Sequence, residues 1–189
     1  MTRICFVAFL IAPLACWAHM TGQPHSIASG LLHPVTGIDH LLALLAVGWI
    51  AFRPQAPREG IQLTIAFLGS MLAGAALGMT GLSSHMIEYV LCISLILSGV
   101  MIVTPAKRPY TALLLGVAGL CHGFAHGCES PAGASGALFL AGMVASSSVL
   151  LLAGLHAHRR IEESGVRFDV RLAISTCLVL TGAVLMGRL

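Results

Sequence analysis

Apolar residues run almost unbroken through six stretches of the chain, at about residues 33–52, 61–81, 86–104, 110–127, 134–156 and 169–188. A bilayer core about 30 Å thick is crossed by roughly 20 apolar residues rising ~1.5 Å each, so the runs predict six transmembrane helices. The separators carry breakers and charges: Arg53-Pro54-Gln55-Ala56-Pro57-Arg58, Pro105-Ala106-Lys107-Arg108-Pro109, and the stretch from His158 to Glu163. A further apolar stretch, Ile4 to about Cys16, follows Met1-Thr2-Arg3 and ends at Cys16-Trp17-Ala18, with small residues at the minus-three and minus-one positions. This predicts a secretory signal peptide cleaved after Ala18, the competing reading being an uncleaved first helix. The expected fold is all-α: a signal peptide at 1–18, then a polytopic bundle of six membrane helices at 19–189.

Composition agrees with the pattern. The chain is 57% hydrophobic and 9% charged, with mean hydropathy +0.93, where soluble domains carry about 25% charged residues. No large soluble domain fits between the spans. A formal net charge of +3 does not imply nucleic acid, because the basic residues stand singly or in pairs between apolar runs, as in a protein whose surroundings are lipid. Arg53, Arg58, Lys107, Arg108, Arg159, Arg160, Arg167 and Arg171 fall in alternate loops, while the loops around 81–85 and 127–135 contain neither Lys nor Arg. Basic loops stay cytoplasmic, and a cleaved signal leaves the mature N-terminus periplasmic, so both lines predict the same multi-pass topology in a bacterial inner membrane. Gly74 and Gly78, and Gly119, Gly123 and Gly127, recur every four residues, a spacing that lets helix backbones approach closely in lipid.

Polar residues inside these runs are the candidates for function, since ionisable groups are expensive in a membrane. The first span opens on His33-Pro34-Val35-Thr36-Gly37-Ile38-Asp39-His40. On one helix His33, Gly37 and His40 share a face, with Asp39 one step round, and Pro34 suits a first turn. Two imidazoles and a carboxylate could then converge on a cation; the structural alternative is a helix cap with interfacial histidines. The second constellation, Cys121-His122-Gly123-Phe124-Ala125-His126-Gly127-Cys128-Glu129, puts His122, His126 and Glu129 at the same spacing. There the alternative is a hydrogen-bonded structural pair. His85 with Glu88 forms a thinner candidate.

The topology assigns all three stretches to the periplasmic side. His19 and His25 belong to the outer tail, and His156 and His158 to the cytoplasmic end, as interfacial anchors or an exit contact. Cys5 and Cys16 would leave with the signal, Cys92 and Cys177 read as small core residues, and Cys121 and Cys128 stay unassigned. Imidazole suits nickel, copper, zinc and iron, and carboxylate suits harder ions, so the mixed set fits a borderline divalent metal without naming it.

At these residues the chain resembles the HupE/UreJ family of nickel and cobalt permeases, found with hydrogenase and urease systems. The resemblance covers the signal, the six spans, the HPxxGxDH motif at His33 to His40 and the HGxAHGxE element at His122 to Glu129. It implies a metal path through His33, Asp39, His40, His122, His126 and Glu129, with Glu88 a weaker member. Cys121 departs from the family, which commonly has Phe there. The expected role is transport of nickel or cobalt from periplasm to cytoplasm, as cargo and without a prosthetic group, to supply a metalloenzyme such as hydrogenase or urease. The alternatives are a membrane-embedded zinc hydrolase, which needs an open coordination position, and a metal-binding accessory protein that does not transport.

Overall fold

The computed structural model describes residues 26–82, 86–104, 106–130, 134–165 and 168–189. The proposed signal peptide, His19, His25 and His85 lie outside these residues. Among the described residues the chain forms seven helices and no strand: α1 Ile27–Thr36, α2 Ile38–Ala51, α3 Pro57–Gly78, α4 Ile87–Val103, α5 Arg108–Glu129, α6 Ala134–Ser164 and α7 Phe168–Met186. Helices α3, α5 and α6 are long and apolar enough to cross a membrane, and α1 with α2 would make a fourth, bent span. Helices α4 and α7 are apolar but shorter.

The break in the first segment differs from the sequence expectation and positions the site. Helix α1 starts well before the apolar run, at a reciprocal cap in which Ser29 N–H donates to Ser26 Oγ at 3.2 Å and Ser26 N–H donates to Ser29 Oγ at 2.8 Å. Pro34 therefore lies inside α1 and not in a first turn. It lacks the N–H that Gly30 carbonyl would accept, and its ring crowds that carbonyl. Three residues on, Gly37 is extended at φ −85°, ψ 113°. It closes α1 by donating to His33 O at 3.3 Å and opens α2 by accepting from Leu41 N–H at 2.9 Å. The helix axis turns by 81° across this residue. His33 and His40 consequently belong to different helices and do not share the face of one.

Helix α2 is the centre of the bundle, buried continuously from Ala46 to Ala51. Helix α6 lies against both α1 and α2, α3 pairs with α5, and α4 with α7. The four-spaced glycines work as expected between α3 and α5. A Cβ at Gly123 or Gly127 would run into the carbonyls of Met71 and Ala75, and one at Gly74 or Gly78 into those of Leu120 and Phe124. In lipid, where apolar burial gives helices little reason to associate, such backbone contact supplies much of the attraction.

Leu44, Val47, Phe67, Met71, Leu95, Leu115, Leu151 and Leu178 fill the middle of the bundle. Ile61, Ile65, Leu113, Val149, Leu152 and Leu180 face outward. A belt of exposed large aliphatic side chains around a dry interior suits a lipid surround.

Candidate metal centre

The bend at Gly37 brings the end of α1 and the start of α2 against the last turns of α5. His33 comes from α1, His40 from α2, and His122 and His126 from α5. The ring centroids of His33 and His126 are 4.7 Å apart, those of His40 and His126 4.5 Å, and those of His33 and His40 5.3 Å. One nitrogen from each of these three rings lies within 4.8 Å of the others. A cation at the centre of such a triangle would sit at most about 2.8 Å from each nitrogen, against ~2.0–2.1 Å for an imidazole–zinc bond. Side-chain movements below 1 Å or so would close that gap.

Surrounding groups orient these rings. His40 Nδ1 lies 2.8 Å from Asp39 Oδ2, an ion-pair distance at which the ring N–H is not aligned for a hydrogen bond. The carboxylate still favours a proton on Nδ1, leaving the Nε2 lone pair as donor to a metal. Asp39 thus reaches the cluster through His40, in the arrangement by which carboxylates set the tautomer and basicity of a metal-binding imidazole. His122 Nδ1 donates to Ala118 O at 2.9 Å, which leaves Nε2 with its lone pair. The His122 ring stands 5.8 Å from His40, at the edge of the three-imidazole group. Phe139 of α6 meets His33 edge-on at 5.4 Å and walls the far side.

Gly37 has a second role beyond the break. A Cβ there would stand 3.0 Å from His40 Nδ1 and 3.1 Å from Asp39 Oδ1, so a larger residue would crowd both side chains where they fold back against the bend. Broken helices suit ion sites because they aim the negative end of one helix dipole at the point where the chain turns. Here His33 lies in the last turn of α1, and Asp39 in the first turn of α2, where a carboxylate is favoured.

Five buried side-chain nitrogen or oxygen atoms among the described residues lack a hydrogen-bond partner, and four of them are here: Asp39 Oδ1, His40 Nδ1, His40 Nε2 and His126 Nδ1. Each such atom costs about 1–3 kcal/mol if left so. A cation shared by the rings would offset part of that cost.

Not every predicted residue joins the group. Glu129 ends α5, and its side chain lies outside the described set. Glu88 sits half-buried in the first turn of α4, apart from the three-imidazole group. Cys128 donates to Leu82 O at 3.1 Å, and Cys121 is half-buried; neither thiol belongs to the cluster. Sequence reasoning missed that Phe139 would close the site, and an aromatic in an apolar run gives no signal of that.

The fold and site together define a class: an all-helical membrane protein whose first apolar segment is broken where histidines of three helices meet. The chain belongs to the HupE/UreJ family, whose model, HupE / UreJ protein, matches residues 7–185. It is 30% identical over 151 residues to Protein HupE of Rhizobium leguminosarum bv. viciae, an alignment covering 79% of this chain and 78% of the relative. No solved structure matches the chain.

Proposed function

We propose that the protein is a permease carrying divalent nickel or cobalt from the periplasm to the cytoplasm, in support of a nickel enzyme such as hydrogenase or urease. The observation that carries this reading is the convergence of His33, His40 and His126 at a helix break, with four buried polar atoms of His40, His126 and Asp39 that make no hydrogen bond. In the same reading residues 1–18 are a cleaved signal, and α1–α2, α3, α4, α5, α6 and α7 make six spans in the inner membrane. The 17 residues of α4 are at the lower limit of a span, ~17–25 residues. Alternating basic loops then set the histidine cluster at the periplasmic side.

Chemically, the cluster replaces part of the cation's water shell with imidazole nitrogens. Three neutral rings hold nickel or cobalt without building up negative charge, and Asp39 orients the ring of His40 alone. Retention stays moderate, as passage requires. Glu129 and Glu88 are carried in this proposal as carboxylates on the approach to the rings.

Uptake of radiolabelled nickel and cobalt tests the reading, in cells expressing the natural chain, Asp39→Ala or His126→Ala. Uptake is expected to be lost in both variants while the protein remains in the membrane. Normal uptake in both would overturn the site. Nickel-driven accumulation in liposomes carrying the purified protein separates transport from binding without transport, and competition between the two metals identifies the cargo.

A further inference from the structure

At the opposite end of α2 the bundle holds a cavity of about 250 Å³, lined among others by Trp49, Arg53, His158, Glu162 and Arg171. From His40 to Trp49 is nine residues of one helix, or about 14 Å of axial rise. The buried Leu44 and Val47 lie on that helix between the two ends.

His158 is held firmly in the wall of this cavity. Its ring is stacked on Trp49 at 4.3 Å and 5°, and Phe52 leans on it at 4.8 Å. Its Nδ1 lies 2.7 Å from Trp49 O. A carbonyl only accepts, so Nδ1 carries the proton and the neutral ring presents the Nε2 lone pair. One turn along α6, Glu162 Oε1 stands 3.6 Å from that nitrogen. Imidazole and carboxylate at i and i+4 make half of a cation site. Arg171 of α7 fills the gap between them: its Nη2 lies 3.0 Å from His158 Nε2 and also donates to Glu162 Oε1.

A positive group thus already stands where a metal bound by His158 and Glu162 would stand. The seat of Arg171 is imperfect, because its Nε is buried without a partner. A buried donor left so weakens the hold on the guanidinium, whereas an arginine fully used in a structural ion pair has its fork satisfied.

We propose that this cavity is a second station for the divalent cation, formed by His158 Nε2 and the Glu162 carboxylate, with Arg171 as a tethered cation that the metal displaces. The proposal rests on the transport reading above. The single carboxylate leaves the cavity net positive once the metal, Arg53 and Arg171 are all present. The ion is therefore held weakly and leaves readily, as an exit site requires. With no metal there, the guanidinium keeps the lone pair and the carboxylate engaged and closes α6 onto α7.

Equilibrium dialysis of the detergent-solubilised full-length protein against Ni(II), with bound metal counted by mass spectrometry, tests this. The His126→Ala chain serves as background, so that the three-imidazole cluster does not mask the second station. Adding Arg171→Gln is expected to tighten nickel binding by about 10- to 100-fold, the scale on which groups around a metal site act. Adding Glu162→Gln or His158→Ala on top should abolish the gain.

Arg171→Lys keeps a charge but not the fork, and is expected to give a smaller gain should the glutamine variant fold poorly; circular dichroism and monodispersity check the fold. No tightening in either Arg171 variant, or a gain that survives Glu162→Gln, overturns the proposal. If His126→Ala leaves the high-affinity binding of the natural chain unchanged, the three-imidazole reading fails instead, and the Arg171 comparison still decides the second station.

Discussion

The two ends of α2 solve one problem in opposite ways. Each end gathers histidine with a carboxylate in a nearly dry setting, and each has a ring whose Nδ1 donates to a backbone carbonyl, His122 to Ala118 and His158 to Trp49. At the bend, three further rings face one another and four polar atoms make no hydrogen bond. At the other end Arg171 supplies the positive charge, and a single atom, its own Nε, stays unpartnered. The protein's own donors satisfy the second cluster and leave the first dependent on something that carries positive charge. Buried histidines therefore differ in kind: His158 is held by a backbone carbonyl and by a guanidinium that a metal would have to displace, whereas the rings left facing each other hold an open place for a cation.

Matched substitutions should break this comparison most sharply, because they are expected to move stability in opposite directions. His126→Leu removes an unpartnered nitrogen and keeps the volume, so metal-free stability should hold or rise. Nickel affinity should fall by about 100-fold or more, since a ligand is lost outright rather than a supporting group. His158→Leu removes two hydrogen bonds, one to the Trp49 carbonyl, which keeps Phe52 N–H as donor, and one from Arg171, which keeps Glu162 as acceptor, and should cost about 1–3 kcal/mol at roughly 0.5–1.5 kcal/mol per bond. Thermal unfolding in detergent and nickel dialysis read both effects. A destabilised His126→Leu with intact binding would make the first cluster structural and erase the distinction.

Next in size is the helix contact that carries two of the rings. Gly123 lies between His122 and His126, and its Cα approaches the Met71 carbonyl so closely that no side chain fits. Gly123→Val should push α5 off α3, costing about 1–3 kcal/mol by overpacking and weakening nickel binding with it. Gly116, on the same helix, has nothing within 4 Å of the position its Cβ would take. Gly116→Ala should change neither melting nor binding. Equal effects at the two glycines would mean that close backbone contact does not set the ring positions.

Much of this was legible in the chain. The six apolar runs became helices, because periodicity and breakers act locally. His122 and His126 fell on one helix face, as a four-residue spacing requires. The first motif was legible in its chemistry but not in its shape. The apolar run begins near His33, so Pro34 read as a first-turn proline. The true start is a Ser26–Ser29 cap without the glutamate or glutamine that usually marks one. Once α1 begins at Ile27, the same proline is interior, and the extended Gly37 turns the chain. His33 still meets His40, through a bend rather than along a face. The pairing of Arg171 with His158 and Glu162 was out of reach for a different reason. The i, i+4 pair on α6 is local, whereas the placement of Arg171 depends on how α7 folds back over it.

A finer test concerns the carboxylate at the bend. Asp39→Asn keeps size and polarity but removes the charge that favours the proton on His40 Nδ1. If Asp39 acts through His40, nickel affinity should fall by about tenfold, the lower end of the effect of such supporting groups. Dialysis against Ni(II) at constant pH measures this. A loss as large as that of His126→Leu would make Asp39 a direct ligand instead.

The smallest expected effect on nickel binding comes from the other end, where ring stacking and not charge is changed. Trp49→Leu leaves the backbone carbonyl that His158 Nδ1 donates to, and removes only the indole stacked on it at 4.3 Å. Such an aromatic contact is worth about 0.5–1.5 kcal/mol beyond its burial. Unfolding should shift by roughly that amount plus the lost volume, while nickel binding at the three-imidazole cluster stays unchanged, because about 14 Å of α2, with the buried Leu44 and Val47, separates the two ends. If Trp49→Leu instead changed nickel affinity at the bend, the ends would be coupled through α2, and the rigid middle of that helix would transmit the state of one cluster to the other.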